Sequence, residues 1–146
     1  VTLGGGEGPD GSIALGHIDD VGRMSLAYSA ADLLVLPTRA DNLPNILVEA
    51  MARGTPCVSF RVGGVPDVVR HGQTGLLAEP EDVASLRQAI ETLLHDDALR
   101  QRMGRAGREI AVSEFADTRI AARYGALYDT LIDASRTLQG RAAPSR

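Results

Sequence analysis

The sequence predicts an α/β fold in which a doubly wound parallel sheet is followed by C-terminal helices. In the first half of the chain, short apolar runs that indicate buried strands alternate with segments of helical periodicity. Such alternation is typical of right-handed βαβ units. Beyond Glu79 the strand pattern stops, and three amphipathic helical segments follow one another.

The elements of the sheet region can be assigned in chain order. Strands are predicted at 12–18, 32–38, 56–60 and 74–79. Helices are predicted between them at 21–31, 45–53 and 63–71. The apolar run closed by Pro37 indicates a strand buried on both faces, as in parallel sheets. Gly54 and Pro56 end the second of these helices, because neither residue favours its continuation.

The C-terminal helices are predicted at 81–96, 97–115 and 117–135. The domain is therefore expected to cover residues 1–136, with a frayed tail at 137–146. The apolar stripe of the last helix is longer than one small sheet layer requires. We expect its distal part, Leu127 to Ile132, to be partly exposed, poorly ordered or paired with another copy of the chain.

One connection does not fit a βαβ pattern. Too few residues separate "VTLGG" (1–5) from the strand predicted at 12–18 for a crossover helix. Either the first segment is not a parallel neighbour of that strand, or a segment is absent between them. The missing initiator Met at Val1 further suggests a fragment.

Composition restricts the class of function. The 146 residues are 44% apolar and 23% charged, and the net charge is −4, so the chain lacks the basic surface that nucleic acids require. The single cysteine, Cys57, cannot form an internal disulfide and suits a reducing, cytoplasmic compartment. No apolar run reaches the roughly 20 residues of a membrane span. The three histidines and Cys57 show no metal-ligand spacing, so neither a metal nor a cofactor is expected.

The loop and helix at 39–53 form the candidate site. In open α/β sheets, ligands bind beyond the carboxyl ends of the strands, where this loop is predicted to lie. Pro44 suits the start of the helix, whose first N–H groups make an anion site. These N–H groups belong to Asn45, Ile46 and Leu47.

Two carboxylates flank this anion site. Glu49 lies one turn along the helix among apolar neighbours, where an ionised carboxylate needs hydrogen-bond donors such as a ribose diol. Asp41, in the loop, could accept sugar hydroxyls, and the layout then suits a nucleotide-sugar. Two structural explanations compete, and on spacing alone they are favoured. Glu49 could pair with Arg53 or Arg61, and Asp41 could close a turn.

A longer set of motifs changes this balance. The pattern begins with an acidic residue that is separated from a Glu by seven residues. It continues with Ala-x-Ala-x-Gly-x-Pro and then with Gly-Gly, Pro-Asp and Gly-Leu. These elements are Asp41, Glu49, Ala50, Ala52, Gly54, Pro56, Gly63–Gly64, Pro66–Asp67 and Gly75–Leu76. From about Ile13 to Tyr128, the chain resembles the Rossmann-like C-terminal half of GT-B glycosyltransferases in the large retaining family often called family 4.

The resemblance implies a role for each candidate residue. The catalytic residues would be Asp41 and Glu49. Glu49 would bind the ribose hydroxyls, and Asp41 would bind the transferred sugar. The pyrophosphate and sugar would be held by Asn42, Leu43, Pro44, Asn45, Ile46 and Leu47. The base would lie against Gly16, His17 and Ile18, and the Gly63–Gly64 backbone could approach the donor or only form a turn. The family uses a nucleotide-sugar donor, usually without a bound metal.

Three departures from the family pattern matter. Asp41 stands where the family usually has Glu, so its reach to the sugar is shorter by one methylene. The first strand of this half, with its Arg and Lys phosphate clamp, is missing, and Arg39 is a weak substitute that is more readily explained as an exposed arginine. The N-terminal acceptor-binding domain is also missing. We therefore expect a hexosyltransferase-type domain that is inactive alone.

The full-length protein would act in polysaccharide or glycoconjugate biosynthesis, in the cytoplasm or at the inner face of the membrane. Two alternatives remain open. One is a non-catalytic nucleotide-binding subunit of a split glycosyltransferase. The other is a GT-B sugar-nucleotide epimerase, which would need further acid/base residues that the sequence does not reveal.

Overall fold

The computed structural model describes residues 1–4 and 8–141. The chain forms two compact units, Val1–Ala111 and Val112–Arg146. The order of elements alternates helix and strand up to the third strand and is helical thereafter. The elements are α1 (Val21–Ala30), β1 (Leu34–Leu36), α2 (Asn45–Ala52), β2 (Cys57–Phe60), α3 (Val65–Val68), β3 (Gly75–Ala78), α4 (Val83–His95), α5 (Asp97–Glu114) and α6 (Asp117–Arg141).

The three strands form a parallel sheet in the order β1-β2-β3. Val58 of β2 pairs with Val35 on one side and with Leu76 on the other. All four residues of β2 are buried, because this strand has a neighbour on both edges. The one hydroxyl within it, on Ser59, donates to the carbonyl of Leu36 at 2.7 Å and so remains satisfied in the core.

Helices cover both faces of this sheet. Val58 belongs to a buried cluster with Leu93 of α4 and Met103 of α5. The preceding side chain, Cys57, points the other way, and its sulfur lies 3.8 Å from the carbonyl oxygen of Leu47 in α2. The predicted α/β fold, with a parallel sheet followed by C-terminal helices, is therefore confirmed.

A close backbone contact joins α5 to the end of α2. A side-chain carbon on Gly104 would lie under 3.0 Å from the carbonyl oxygen of Gly54, closer than Cβ atoms come to other groups. Four residues along α5, the Arg108 guanidinium donates to the carbonyl of Ala52. Gly104 therefore lets α5 approach the last turn of α2, and Arg108 satisfies one of its terminal carbonyls.

The strand predicted at 12–18 is wrong. Only an isolated parallel bridge forms there, between Thr2 and Ala14. A single bridge buries little apolar surface, and the Ile13 side chain remains 66% exposed. Of the two explanations for the short connection, the first is also wrong, because the two segments do pair in parallel. Part of that connection, residues 5–7, lies outside the described residues.

The strand predicted to be buried on both faces is shorter and more open than expected. It comprises Leu34–Leu36, and each residue is half-buried. Within residues 1–4 and 8–141, β1 pairs only with β2, so its other edge has no covering strand. An apolar run indicates that a strand is fit for burial, but neighbouring elements determine how far it is buried.

The three C-terminal helices are confirmed. Asp82 caps α4 by accepting hydrogen bonds from the N–H groups of Ala84 and Ser85. The last helix, α6, continues to Arg141, so it overlaps the tail expected at 137–146, of which residues 142–146 lie outside the described part. No helix among the described residues has the length and apolar character of a membrane span.

The apolar stripe of α6 is exposed, as predicted. Leu127 is 50% exposed, Leu131 56% and Ile132 48%. The aromatic rings of Tyr124 and Tyr128 lie on the same helix with their centroids 6.2 Å apart. Pairing of this stripe with another copy of the chain stays a prediction.

Candidate functional site

The start of α2 supplies fewer free donors than the sequence predicts. Pro44 precedes the helix without a side-chain cap. The N–H of Leu47 donates to the carbonyl of Pro44 at 3.0 Å, so Leu47 is not a free donor and that expectation is corrected. The N–H groups of Asn45 and Ile46 have no partner in the described part of the chain. These two groups, at the positive end of the helix, remain available to an anion.

Asp41 closes a turn at the entrance to this helix. Its Oδ1 accepts a hydrogen bond from the N–H of Leu43 at 3.1 Å, an Asx turn that matches one of the two structural explanations. Its backbone carbonyl accepts from the N–H of Gly64 at 2.9 Å. Oδ2 forms no hydrogen bond with any described residue, so half of the carboxylate stays open to a ligand. Of the neighbouring candidates, Asn42 and Leu43 are exposed and Pro44 is buried.

The glycine pair supports the Asp41 loop. A Cβ on Gly63 would fall under 3.0 Å from the carbonyl oxygen of Asp41, and one on Gly64 equally close to that of Asn42. Gly63 also has a positive φ of 48°, which disfavours residues with a side chain. The two loops therefore pack backbone against backbone. This contact gives Gly63 and Gly64 a supporting role, and their predicted contact with a donor stays a prediction.

Glu49 borders a cavity beside α1 and α2. It lines a cavity of about 360 Å³ together with Ile18, Asp19, Asp20, Val21, Met24, Ser25, Tyr28, Ala52 and Arg53. Its side chain is exposed rather than surrounded by apolar groups, because the apolar neighbours on α2 point elsewhere. Neither predicted arginine partner, Arg53 or Arg61, pairs with it in the described structure.

The donor to Glu49 is Tyr28, a residue that the sequence analysis missed. The Tyr28 hydroxyl donates to Oε2 of Glu49 at 2.9 Å. Burial raises the pKa of this phenol well above its ordinary value, and the hydrogen bond and negative charge of Glu49 raise it further. Tyr28 therefore stays protonated and donates. No spacing rule links residues 28 and 49, and the sequence signal is limited to an aromatic residue near the end of a helix.

Of the residues predicted to border the base, Ile18 meets Glu49 in the cavity. Gly16 has a positive φ of 67°, which fits a turn leading into it. His17 instead turns to Asp19, with Nε2 and Oδ1 2.9 Å apart on an open surface. Arg39 faces Glu81 at 3.6 Å, and both side chains are exposed, which agrees with an ordinary surface arginine.

Other reactive groups fit a structural role. Burial raises the pKa of the Cys57 thiol to about 12, so it is a core residue rather than a nucleophile. The ring Nδ1 of His71 accepts a hydrogen bond from the N–H of Leu77 at 3.0 Å, which ties this side chain to β3. Across the part of the chain that the structure describes, no group of His, Cys, Asp or Glu is arranged to hold a metal ion.

Comparison with known proteins identifies the family. The model of glycosyl transferases group 1 matches residues 7–110, which include Asp41 and the whole of α2 with Glu49. The chain belongs to this family.

Individual relatives agree. The chain is 38% identical over 125 residues to the N-acetyl-alpha-D-glucosaminyl L-malate synthase of Bacillus anthracis, covering 85% of this chain and 32% of the relative. Its fold matches sucrose-phosphate synthase from Thermosynechococcus elongatus with a TM-score of 0.77 and 36% identity, over 84% of this chain and 30% of that one. HepE of Anabaena, solved in complex with UDP, has the same fold with a TM-score of 0.73 at 24% identity, over 80% of this chain and 32% of HepE.

The matched region corresponds to the C-terminal domain of the GT-B fold, as the resemblance in the sequence indicates. The chain spans about a third of the length of these relatives, since it covers 32% and 30% of the first two.

Proposed function

We propose that this chain is the nucleotide-sugar-binding domain of a retaining glycosyltransferase. The full enzyme would transfer a sugar to a glycan, lipid or small-molecule acceptor in polysaccharide or glycoconjugate biosynthesis. The observation that carries the proposal is the layout around α2. Two free N–H groups begin the helix, the half-open Asp41 carboxylate precedes them, and Glu49 follows on a cavity.

Each part of a donor finds a chemical counterpart in this layout. The pyrophosphate would accept hydrogen bonds from the N–H groups of Asn45 and Ile46, where the helix dipole favours negative charge. Glu49 lies four residues beyond Asn45, about 6 Å along the helix axis, at a reach that suits the ribose. The base would enter the cavity beside Ile18, and the transferred sugar would lie toward Oδ2 of Asp41.

The same groups would assist the reaction. When the sugar leaves, negative charge develops on the nucleoside diphosphate. Fixed N–H donors and the helix dipole would stabilise that charge without reorganising, which is a form of electrostatic catalysis. No metal is required by this scheme. The names of the relatives support the proposal, because an N-acetylglucosaminyl L-malate synthase and a sucrose-phosphate synthase both join a sugar to an acceptor.

Calorimetry on the 146-residue chain tests the proposed donor site. We expect at least one of UDP, GDP and ADP to bind, and Glu49→Ala to weaken that binding ~10-fold or more, since a hydrogen bond to a charged group is worth about 1.5–3 kcal/mol. The matched control is Glu109→Ala, which removes an exposed glutamate from α5. Equal affinity of the Glu49→Ala variant and the unchanged protein would refute the assignment.

We expect no sugar transfer by the chain alone. Transfer requires an acceptor held against the anomeric carbon, and such positioning can be worth ~7–11 kcal/mol. The cavity beside Glu49 is the one that the donor would occupy, so it is not free to hold an acceptor. Incubation with nucleotide-sugars and candidate acceptors, followed by mass spectrometry, checks this expectation. Formation of a glycosylated product by a homogeneous preparation would contradict it.

A further inference from the structure

Tyr28 joins a buried ring to an exposed carboxylate. The residue is only 4% exposed, yet its hydroxyl reaches Oε2 of Glu49 at the edge of the cavity. Glu49 has no cationic partner among the described residues, so this phenol is its fixed donor. An exposed glutamate would otherwise sample several rotamers, since three bonds rotate between its backbone and its carboxylate.

The backbone around Tyr28 is tied to the end of α2. The carbonyl of Tyr28 accepts a hydrogen bond from the hydroxyl of Thr55 at 2.7 Å and one from the N–H of Ala31 at 3.1 Å. Thr55 is 3% exposed, and its own N–H donates to the carbonyl of Ala50 in α2. Because both the phenol and the carboxylate are connected through this buried threonine, their separation is set by the folded core.

We propose that Tyr28 is a positioning residue for ribose recognition: its hydroxyl holds one oxygen of Glu49, so that the other accepts hydrogen bonds from the vicinal diol. The inference rests on the function proposed above. A carboxylate offers about four lone pairs on its two oxygens. One is occupied by Tyr28, which leaves enough acceptors for both ribose hydroxyls.

A positioning role for Tyr28 predicts that its loss affects ligands with ribose hydroxyls more than ligands without them. Without the phenol, Glu49 keeps its charge but loses its fixed orientation, so the diol must order the side chain when it binds. The loss therefore falls on ligands that carry the diol. A merely structural role for Tyr28, as a filler of the core between α1 and α2, would weaken all nucleotides equally, with or without ribose hydroxyls.

The test compares matched ligands on matched variants. UDP, GDP and ADP, each with its 2′,3′-dideoxy form, are titrated into the unchanged protein and into Tyr28→Phe, Glu49→Ala and the double variant. Tyr28→Phe removes only the hydroxyl and keeps the ring. Tyr124→Phe is the control, because it makes the same change on an exposed tyrosine of α6. Thermal unfolding of each variant reports whether the fold is kept.

We expect Tyr28→Phe to weaken the ribonucleotide ~3- to 10-fold, which corresponds to the cost of ordering one side chain on binding, and the dideoxy form less than ~2-fold. In the Glu49→Ala background, Tyr28→Phe should add nothing, because the residue acts through Glu49. Tyr124→Phe should change neither affinity.

Three results would overturn the inference. Equal weakening of the ribo and dideoxy ligands would assign Tyr28 a structural role only. A full additional loss in the Glu49→Ala background would show that Tyr28 acts independently of Glu49. If the unchanged protein binds none of the three nucleotides, the proposed function fails and this inference falls with it. If the unchanged protein binds a nucleotide, but Tyr28→Phe leaves the preference for the ribo form over the dideoxy form unchanged, only this inference fails and the proposed function stands.

Discussion

The two carboxylates of the site are fixed by different means. Asp41 is set by backbone, since its loop rests on the glycine pair and its own side chain closes an Asx turn. Glu49 is set by a side chain, through the hydroxyl of Tyr28. A backbone contact tolerates almost no added atom, whereas a side-chain contact can be weakened in steps. The position of the Asp41 carboxylate therefore depends on the packing of the backbone. The position of the Glu49 carboxylate depends on one hydroxyl group and can be changed by removing it.

The largest expected effect comes from the glycine pair. Gly64→Ala would place a methyl group against the carbonyl of Asn42, and overpacking of this kind costs ~1–3 kcal/mol or more. We expect a lower midpoint of urea unfolding and a displaced Asp41 loop. The control is Gly125→Ala in α6, where a Cβ meets nothing within 4 Å and should stabilise the helix slightly. An unchanged midpoint for Gly64→Ala would show that this loop can yield.

A smaller effect is expected from Asp41→Asn. The amide oxygen can still accept from the N–H of Leu43, so the turn is kept while the charge is lost. Affinity for a nucleotide-sugar should fall ~10-fold, the lower end of the loss expected for one hydrogen bond to a charged group, and affinity for the free nucleoside diphosphate should hardly change. Calorimetry with both ligands measures the difference. Equal losses for the two ligands would mean that Asp41 does not contact the sugar.

The smallest effect concerns the proton of Tyr28. Its pKa is raised in the fold by burial and by Glu49, so the neutral phenol favours the folded state. That contribution is complete below the ordinary value of 10.0 and is lost as the pH rises beyond it, because the unfolded chain ionises first. Phenolate absorbance should show a tyrosine titration step well above the ordinary value. Tyr28→Phe should remove that late step.

A reduced shift is expected in Glu49→Gln, because the charge is lost while burial, the larger cause, remains. A late step that persists in Tyr28→Phe would assign it to another tyrosine. A step that is unaffected by Glu49→Gln would show that burial alone protects the phenol.

Much of the architecture could be predicted from local patterns. The short apolar runs at 56–60 and 74–79 predict strands that the structure contains, as Cys57–Phe60 and Gly75–Ala78. The sequence places the end of helix α2 within one residue of the observed end, since Gly54 follows the C-cap residue Arg53. The choice of Asp41 and Glu49 as site residues rests on the motifs that follow them and the family resemblance, and their roles stay a prediction.

Contacts between distant segments could not be predicted. Tyr28 and Glu49 are 21 residues apart, and only the packing of α1 beside α2 brings them together. The same holds for the glycine pair, whose partner loop precedes it by a helix and a strand. Leu47 was counted as a free donor because the rule for helix starts does not say when the first turn tightens onto Pro44. The apolar run at 12–18 does not form the predicted strand, because burial of such a run depends on which elements pack beside it.

The contact between Gly104 and Gly54 has a mechanical consequence. With the two backbones this close, and with Arg108 bonded to the end of α2, the helix that carries Glu49 cannot slide along its axis without a collision or a broken hydrogen bond. Helix α2 is thus held at both ends, by α5 at its C-terminus and by the glycine-supported loop before its N-terminus. Any adjustment around Glu49 would then be confined to side chains, while the distance from the helix start to Glu49 stays constant.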